Sequence, residues 1–279
     1  MPKRSAVEIA VELPPPLIET LIDRLLSLRI AGRDLSHTRE ANLKAIDRLL
    51  EGDPFYTLGI HRVENLVRSG RLDRLAVLEA VAGFTGCNRD PEVTHGPNYI
   101  NPRACLRGLW QAAQRLRRVR DRRGSVVFGS GHPGTMLGAY SLLAQFLQAG
   151  GCRVPLVAPG AEVAPDWFLD FVGPVACVSD TCSVQHTHTP LAMDAYLDRL
   201  PSPPDLAFVD HGFAGACLNR HIPCLVPMDT NDPALAVAAA EGENFVLIPM
   251  NDNLPNATMQ ELAEILQVLI TLAPSSAEI

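Results

Sequence analysis

Apolar positions recur at helical spacing through the first 120 residues, and from residue 125 onward they gather into short unbroken runs. LIETLIDRLLSL (17–28) carries one apolar stripe and follows three prolines that suit a helix start. Leu43, Ile46, Leu49 and Leu50 mark a second amphipathic helix, stopped by GDP at 52–54. RLDRLAVLEAVAGF (71–84) predicts a third helix and ACLRGLWQAAQRLRRV (104–119) a fourth. Residues 85–103 between them show no period and many turn formers, which reads as a long ordered loop. The later runs are SVVFG (125–129), VPLVA (154–158), VACVS (175–179), DLAFVD (205–210), PCLVPM (223–228) and FVLIPM (245–250). Runs of this length without alternation suit strands buried on both faces of a parallel sheet. Helix-like segments at 134–149, 190–200, 212–221, 233–241 and 258–273 separate or follow them. The pattern predicts an α/β fold: a doubly wound, mostly parallel sheet with a helical N-terminal part. Residues 1–120 form the mainly helical part, and residues 121–279 a Rossmann-like part with most of the site.

Composition narrows the function classes. The hydrophobic fraction of 47% is ample for a core, and a formal net charge of −7 argues against a general nucleic-acid or anionic-membrane binder. Eight arginines between Arg103 and Arg123, most of them in RLRRVRDRR, read as a solvated helix face in an acidic chain. Seven cysteines with no CxxC pair indicate neither a disulfide framework nor a zinc knuckle, and they fit a reducing compartment. MPKRSAVEIAVELPPP lacks the apolar core of a signal peptide, and no run of 18 apolar residues occurs. A soluble cytoplasmic protein is expected.

Polar residues follow the expected strands in a consistent way. SVVFG runs into SGHPG with His132, DLAFVD into HGFAG with Asp210 and His211, and PCLVPM into DTNDP with Asp229, Asn231 and Asp232. FVLIPM is followed by Asn251, Asp252 and Asn253, and VACVS leads toward SVQHTHTP, where His186 and His188 stand two apart. In extended backbone two such imidazoles face the same side. Open parallel sheets bind ligands beyond the carboxyl ends of their strands, so five segments converge on one rim. GSGHPG and HGFAG let backbone amides approach a ligand and offer helix N-termini to an anion. Neither matches GxxxxGK[ST] or GxGxxG, so no nicotinamide or flavin is expected, and no GxSxG elbow occurs. The inventory admits three mechanisms. A divalent metal could activate water at a phosphoryl group; His132 or His211 could act as nucleophile or general acid; Asp210 and His211 could form a general base toward a carbonyl. SHTREANLKAID adds His37, Arg39 and Asn42 at a helix start, with Arg39 suited to bidentate anion binding.

The motifs GHP, HTHTP, VDHGFAG, TNDPAL, AEG and NDN, in that order, resemble an actinobacterial family of cytosolic proteins labelled "phosphatase". The similarity runs from about Ser36 to about Pro255, with Thr189 where the family pattern has serine and Asn251 where it has an aspartate. A lost carboxylate would weaken a metal site if that residue were a ligand. The resemblance implies hydrolysis of a phosphate monoester of a small metabolite. The alternatives are a non-hydrolytic cyclisation or isomerisation of a small anionic substrate on the same scaffold, or a non-catalytic small-molecule binder. His132, Asp210, His211 and His188 are the expected catalytic residues. Gly131, Gly134, Arg39, Gly212 and Asn231 are expected at the substrate, and His186, His188, Asp232 and Asp252 at a metal, Mg or Mn. Carboxylates and histidines converge in greater number than a lone acid–base pair requires, which favours the metal. The expected partner is a small anionic metabolite, with no nucleic acid and no membrane; a homodimer is one open oligomeric state.

Overall fold

In the strands, successive residues turn to opposite faces and both faces are apolar. Val126 and Phe128 enter one core while Val127 enters another, and Leu206 and Phe208 part from Ala207 and Val209 in the same way. The computed structural model describes residues 13–33 and 35–275. Its helices are α1 (Pro15–Ser27), α2 (Arg39–Leu50), α3 (Pro54–Thr57), α4 (His61–Arg68), α5 (Arg74–Thr85), α6 (Pro102–Asp121), α7 (Pro133–Ala149), α8 (Leu191–Arg199), α9 (His211–Asn219), α10 (Pro233–Ala240) and α11 (Asn256–Leu272). The strands are β1 (Val126–Gly129), β2 (Ala161–Ala164), β3 (Trp167–Val172), β4 (Val175–Ser179), β5 (Val184–Gln185), β6 (Leu206–Val209), β7 (Cys224–Met228) and β8 (Val246–Pro249).

One sheet holds all eight strands in the order β2-β3-β4-β1-β6-β7-β8, with β5 also on β4. Neighbours from β4 through β1, β6 and β7 to β8 are parallel, and the pairs β2–β3, β3–β4 and β4–β5 are antiparallel. Residues of α1, α6, α7 and α11 build the core on one face. Those of α2, α4, α5, α8, α9 and α10 build it on the other. Helices on both faces of a mostly parallel sheet make this the α/β fold that the run pattern predicts. The helices of the first 120 residues supply part of both cores.

Two local expectations are corrected. VPLVA (154–158) is not a strand: Arg153 bridges Ser125, and the following residues join no ladder. Pro155 has no N–H to give to one, and its carbonyl instead accepts the Tyr196 hydroxyl. The place beside β4 goes to β3, which with β2 makes an antiparallel hairpin without an unbroken apolar run. Trp167–Val172 is only half-buried, so its sequence lacks the signature of a central strand. The short helices α3 and α4 were likewise not expected; Asp53 caps the first by accepting the Phe55 N–H. The loop expected at 85–103 spans 86–101, between α5 and α6, tied down by bridges from Gly32 to Ile100 and from Thr38 to Pro97. No helix among the described residues is long and apolar enough to cross a membrane.

Candidate active site

After β1 the chain leaves through α7, which packs in one core; after β6 it leaves through α9, which packs in the other. β1 and β6 are neighbours, so the two exits part and open a crevice at their carboxyl ends. His132 stands at the end of the β1 turn, Asp210 and His211 at the end of β6. Asp229, Asn231 and Asp232 follow β7, and Asp252 follows β8.

Asp210 organises the centre. It is fully buried, and its Oδ1 accepts the N–H groups of Gly131 (2.7 Å) and His132 (3.0 Å) and lies 3.1 Å from His211 Nδ1. The turn amides expected to meet a ligand are therefore spent on this carboxylate. On the other side of the ring, His211 Nε2 is 3.8 Å from Asp252 Oδ2 and 3.9 Å from Asp232 Oδ1. Burial disfavours charge on His211, but Asp232, Asp210 and Asp252 outweigh it and push the imidazole up to about 10. Its backbone is left-handed, with φ of +47°, a conformation that costs on the order of 1–3 kcal/mol and persists at functional turns. His132 Nδ1 lies 3.9 Å from Asp252 Oδ2. Both atoms are buried without a hydrogen-bond partner, as are Asp210 Oδ2 and Asn231 Oδ1.

The paired histidines join this cluster. Thr187 N–H donates to the Gly131 carbonyl (2.8 Å), which lays the HTHTP segment across the β1 turn. His188 Nε2 is 3.1 Å from His186 Nε2, and the His132 and His186 rings stack at 4.6 Å. Burial, followed by the charge on His211, lowers His186 to about 4 and His188 to about 2, so both rings are neutral near pH 7. His188 Nδ1 donates to the Phe55 carbonyl (2.6 Å), which leaves its Nε2 to accept from His186 Nε2–H. His186 Nδ1 then keeps its lone pair, while both nitrogens of His188 are engaged. The Phe55 ring stacks on His188 at 3.6 Å, a contact from α3 with no signal in the sequence.

His37 belongs here too, although its local sequence marks it no more strongly than its neighbour Arg39. Its Nδ1 is 2.8 Å from Asp229 Oδ2, and its Nε2 is 3.4 Å from Asn231. The bond to Asp229 raises its pKa against the opposing effect of burial. The Asn231 amide orientation that suits a charged imidazole puts the otherwise unpartnered Oδ1 on Nε2. The Asp232 side chain accepts no N–H of α10 as a cap but accepts the Asp229 N–H (3.1 Å). Burial comes first in pushing Asp232 up to about 7, with Asp252 and Asp229 adding to it against His211. Burial also raises Asp252, yet His132 and His211 leave it below the usual carboxylate range.

Other candidates lie outside this cluster or serve its frame. The Arg39 guanidinium is buried and donates to the Val93 and Asp90 carbonyls and to Asn42, so it anchors the long loop. Gly134 has open space where a side chain would stand. A Cβ at Gly131 would come within 2.3 Å of the Thr187 carbonyl oxygen, and one at Gly212 within 2.2 Å of that of His188. Close packing of the HTHTP backbone against α9 is thus what these glycines permit. Gly212→Ala should cost about 1–3 kcal/mol of stability, read as a lower urea midpoint; an unchanged midpoint would contradict the packing. Asn251, where an aspartate was expected, donates to the Arg29 carbonyl (3.1 Å), a bond that a carboxylate could not make. Thr189 accepts the Leu191 N–H with its hydroxyl, as serine can.

Among the described residues, two groups have the spacing to hold a metal ion: His132, His186 and His211, and His211, Asp232 and Asp252. Of the four expected metal ligands, His186, Asp232 and Asp252 fall in them and His188 does not. The family described as Phosphatase matches residues 17–273. A Streptomyces coelicolor protein named Phosphatase SCO2771 is 32% identical over 237 residues, covering 84% of this chain and 88% of that protein.

Proposed function

The chain belongs to the Phosphatase family and is a phosphatase, and from that premise we propose that it hydrolyses a phosphate monoester of a small metabolite at this rim with a divalent cation. The observation that carries the cation is the charge balance. Asp210, Asp229, Asp232 and Asp252 are all buried, and among the described residues their ion-pair partners are histidines only. Unbalanced buried carboxylates would repel a phosphate as well as one another. Asp232, Asp252 and His211, once the ion displaces the proton from His211 Nε2, would hold it, with His132 and His186 beside them, and the unpartnered Asp252 Oδ2 and His132 Nδ1 fit such donors. A mixed imidazole and carboxylate set favours Mn over Mg. When bound, the cation neutralises phosphoryl charge and makes water a stronger nucleophile.

The chain's own residues supply the rest. Helices α7, α9 and α10 all begin at the rim without side-chain caps, so their first-turn N–H groups would be available to a phosphoryl group bound there. His37, backed by Asp229 and still partly open to solvent, serves as the general acid. Water adds to phosphorus and leaves its proton on the departing phosphate, the bond from phosphorus to the ester oxygen breaks, and that oxygen takes the proton from His37 Nε2, which solvent then restores. The products are an alcohol and inorganic phosphate. The recessed carboxylates admit a phosphate carried on a small molecule rather than one embedded in a folded surface. Sugar phosphates, nucleotides and phospho-amino acids should be screened for phosphate release. The reading expects release from one class, loss of activity with chelator, and recovery with Mn. Tight binding with the ligand recovered unchanged, or full activity of a metal-free preparation by elemental analysis, would overturn it.

A further inference from the structure

The arginines of RLRRVRDRR do not all face solvent as a simple helix stripe. Arg115, Arg118 and Arg122 share one face of α6 by their spacing, and they line a cavity of about 420 Å³ with Arg123 and Arg153. The cavity lies at the amino ends of β1, β6 and β7, marked by Gly124, Asp205 and Pro223, so it is on the edge of the sheet opposite the catalytic rim. Five guanidiniums meet one carboxylate there. That carboxylate is already committed: Asp205 Oδ2 accepts the N–H (2.7 Å) and hydroxyl (2.9 Å) of Ser125. Neighbouring arginines on the other faces of α6 are partnered, Arg117 by Asp121 at 2.9 Å and Arg120 over the Phe146 ring. Arg118 Nε, by contrast, is buried with no hydrogen-bond partner among the described residues.

Two backbone details aim the cluster. Arg123 sits at a left-handed position, φ +52°, just after α6, where glycine is the ordinary choice. Gly124 follows because a Cβ there would meet Asp205 Oδ2 and Val119 at 2.9 Å. Arg153 is fixed by its N–H on the Gly124 carbonyl and its carbonyl on Val126 N–H. The helix C-terminus favours nearby cations, which accounts for one or two arginines in the last turn. It does not account for five from three segments around a concavity with one engaged carboxylate.

We propose that this cavity binds a compact polyanion of the di- or triphosphate class, borne on a small molecule. Guanidinium forks match phosphate oxygens in pairs, and several around one pocket recognise linked phosphates better than a single charge. The concave shape and the chain's net charge of −7 favour a small ligand over nucleic acid, which would need an extended basic track. The site is independent of the catalytic rim and of its proposed reaction.

Inorganic tripolyphosphate tests it by calorimetric titration of the full-length chain, in about 150 mM salt and with no divalent metal added. Saturable binding at one site is expected. Arg118→Ala with Arg122→Ala should weaken it by at least about tenfold, while Arg117→Ala, outside the cavity, leaves it unchanged. Turnover of both variants should match wild type. Should the double variant not fold, the exposed single change Arg122→Glu reads the same loss. No saturable binding, equal loss in the Arg117 variant, or undiminished binding in the double variant would overturn the proposal. So would tighter binding of duplex DNA than of tripolyphosphate.

Discussion

Asp252→Asn should lower turnover by at least about a hundredfold while leaving the fold intact. The substitution keeps the shape of a buried side chain and removes only its charge, so little packing changes. What it removes is the carboxylate common to both sides of the centre: Asp252 Oδ2 faces His211 Nε2 at 3.8 Å and His132 Nδ1 at 3.9 Å, and it has no hydrogen bond of its own. A cation that binds only the folded protein raises Tm, by an amount that grows with the logarithm of its concentration over Kd. Wild type should therefore show a metal-dependent rise in Tm that the variant lacks, and metal content should fall in parallel with turnover. Full metal occupancy with wild-type turnover in the variant would remove Asp252 from the centre.

His37→Gln should lower hydrolysis of alkyl phosphates by about a hundredfold to a thousandfold and spare p-nitrophenyl phosphate. An alkoxide leaves poorly without a proton, whereas nitrophenolate leaves without one. The pH dependence follows from the sign of the shift. His37 is raised by Asp229, so its acid form persists above the ordinary histidine range, and turnover falls as pH rises through that raised value. In the glutamine variant this basic limb should disappear. Equal losses on both esters would assign His37 a purely structural place beside Asp229.

These two residues also mark how far the sequence by itself reaches. Asp252 was visible because it follows an apolar run, and buried-strand runs are local: VVFG, LAFV, CLVPM and VLIP each declare themselves by unbroken hydrophobicity. Strand direction in a parallel sheet then forces His132, Asp210, Asp232 and Asp252 onto one rim, and the spacing of HTHTP turns His186 and His188 the same way. The α/β class and the gathering of histidines and aspartates were therefore determined by the sequence alone. Its local pattern carried no equivalent signal for contacts made across long separations. His37 meets Asp229 across 192 positions, and Phe55 meets His188 across 133. Nothing near either residue distinguishes it from a surface neighbour. Arg39 looked like an anion binder by type, and only its packing shows both ends of the guanidinium spent on loop carbonyls. The half-buried hairpin of β2 and β3 escaped for a related reason: its pairing with β4 is set by which edge is free, not by its own hydrophobicity. Tertiary structure likewise decided that the glycines of HGFAG admit a crossing backbone, since a 2.2 Å approach is a property of two segments at once.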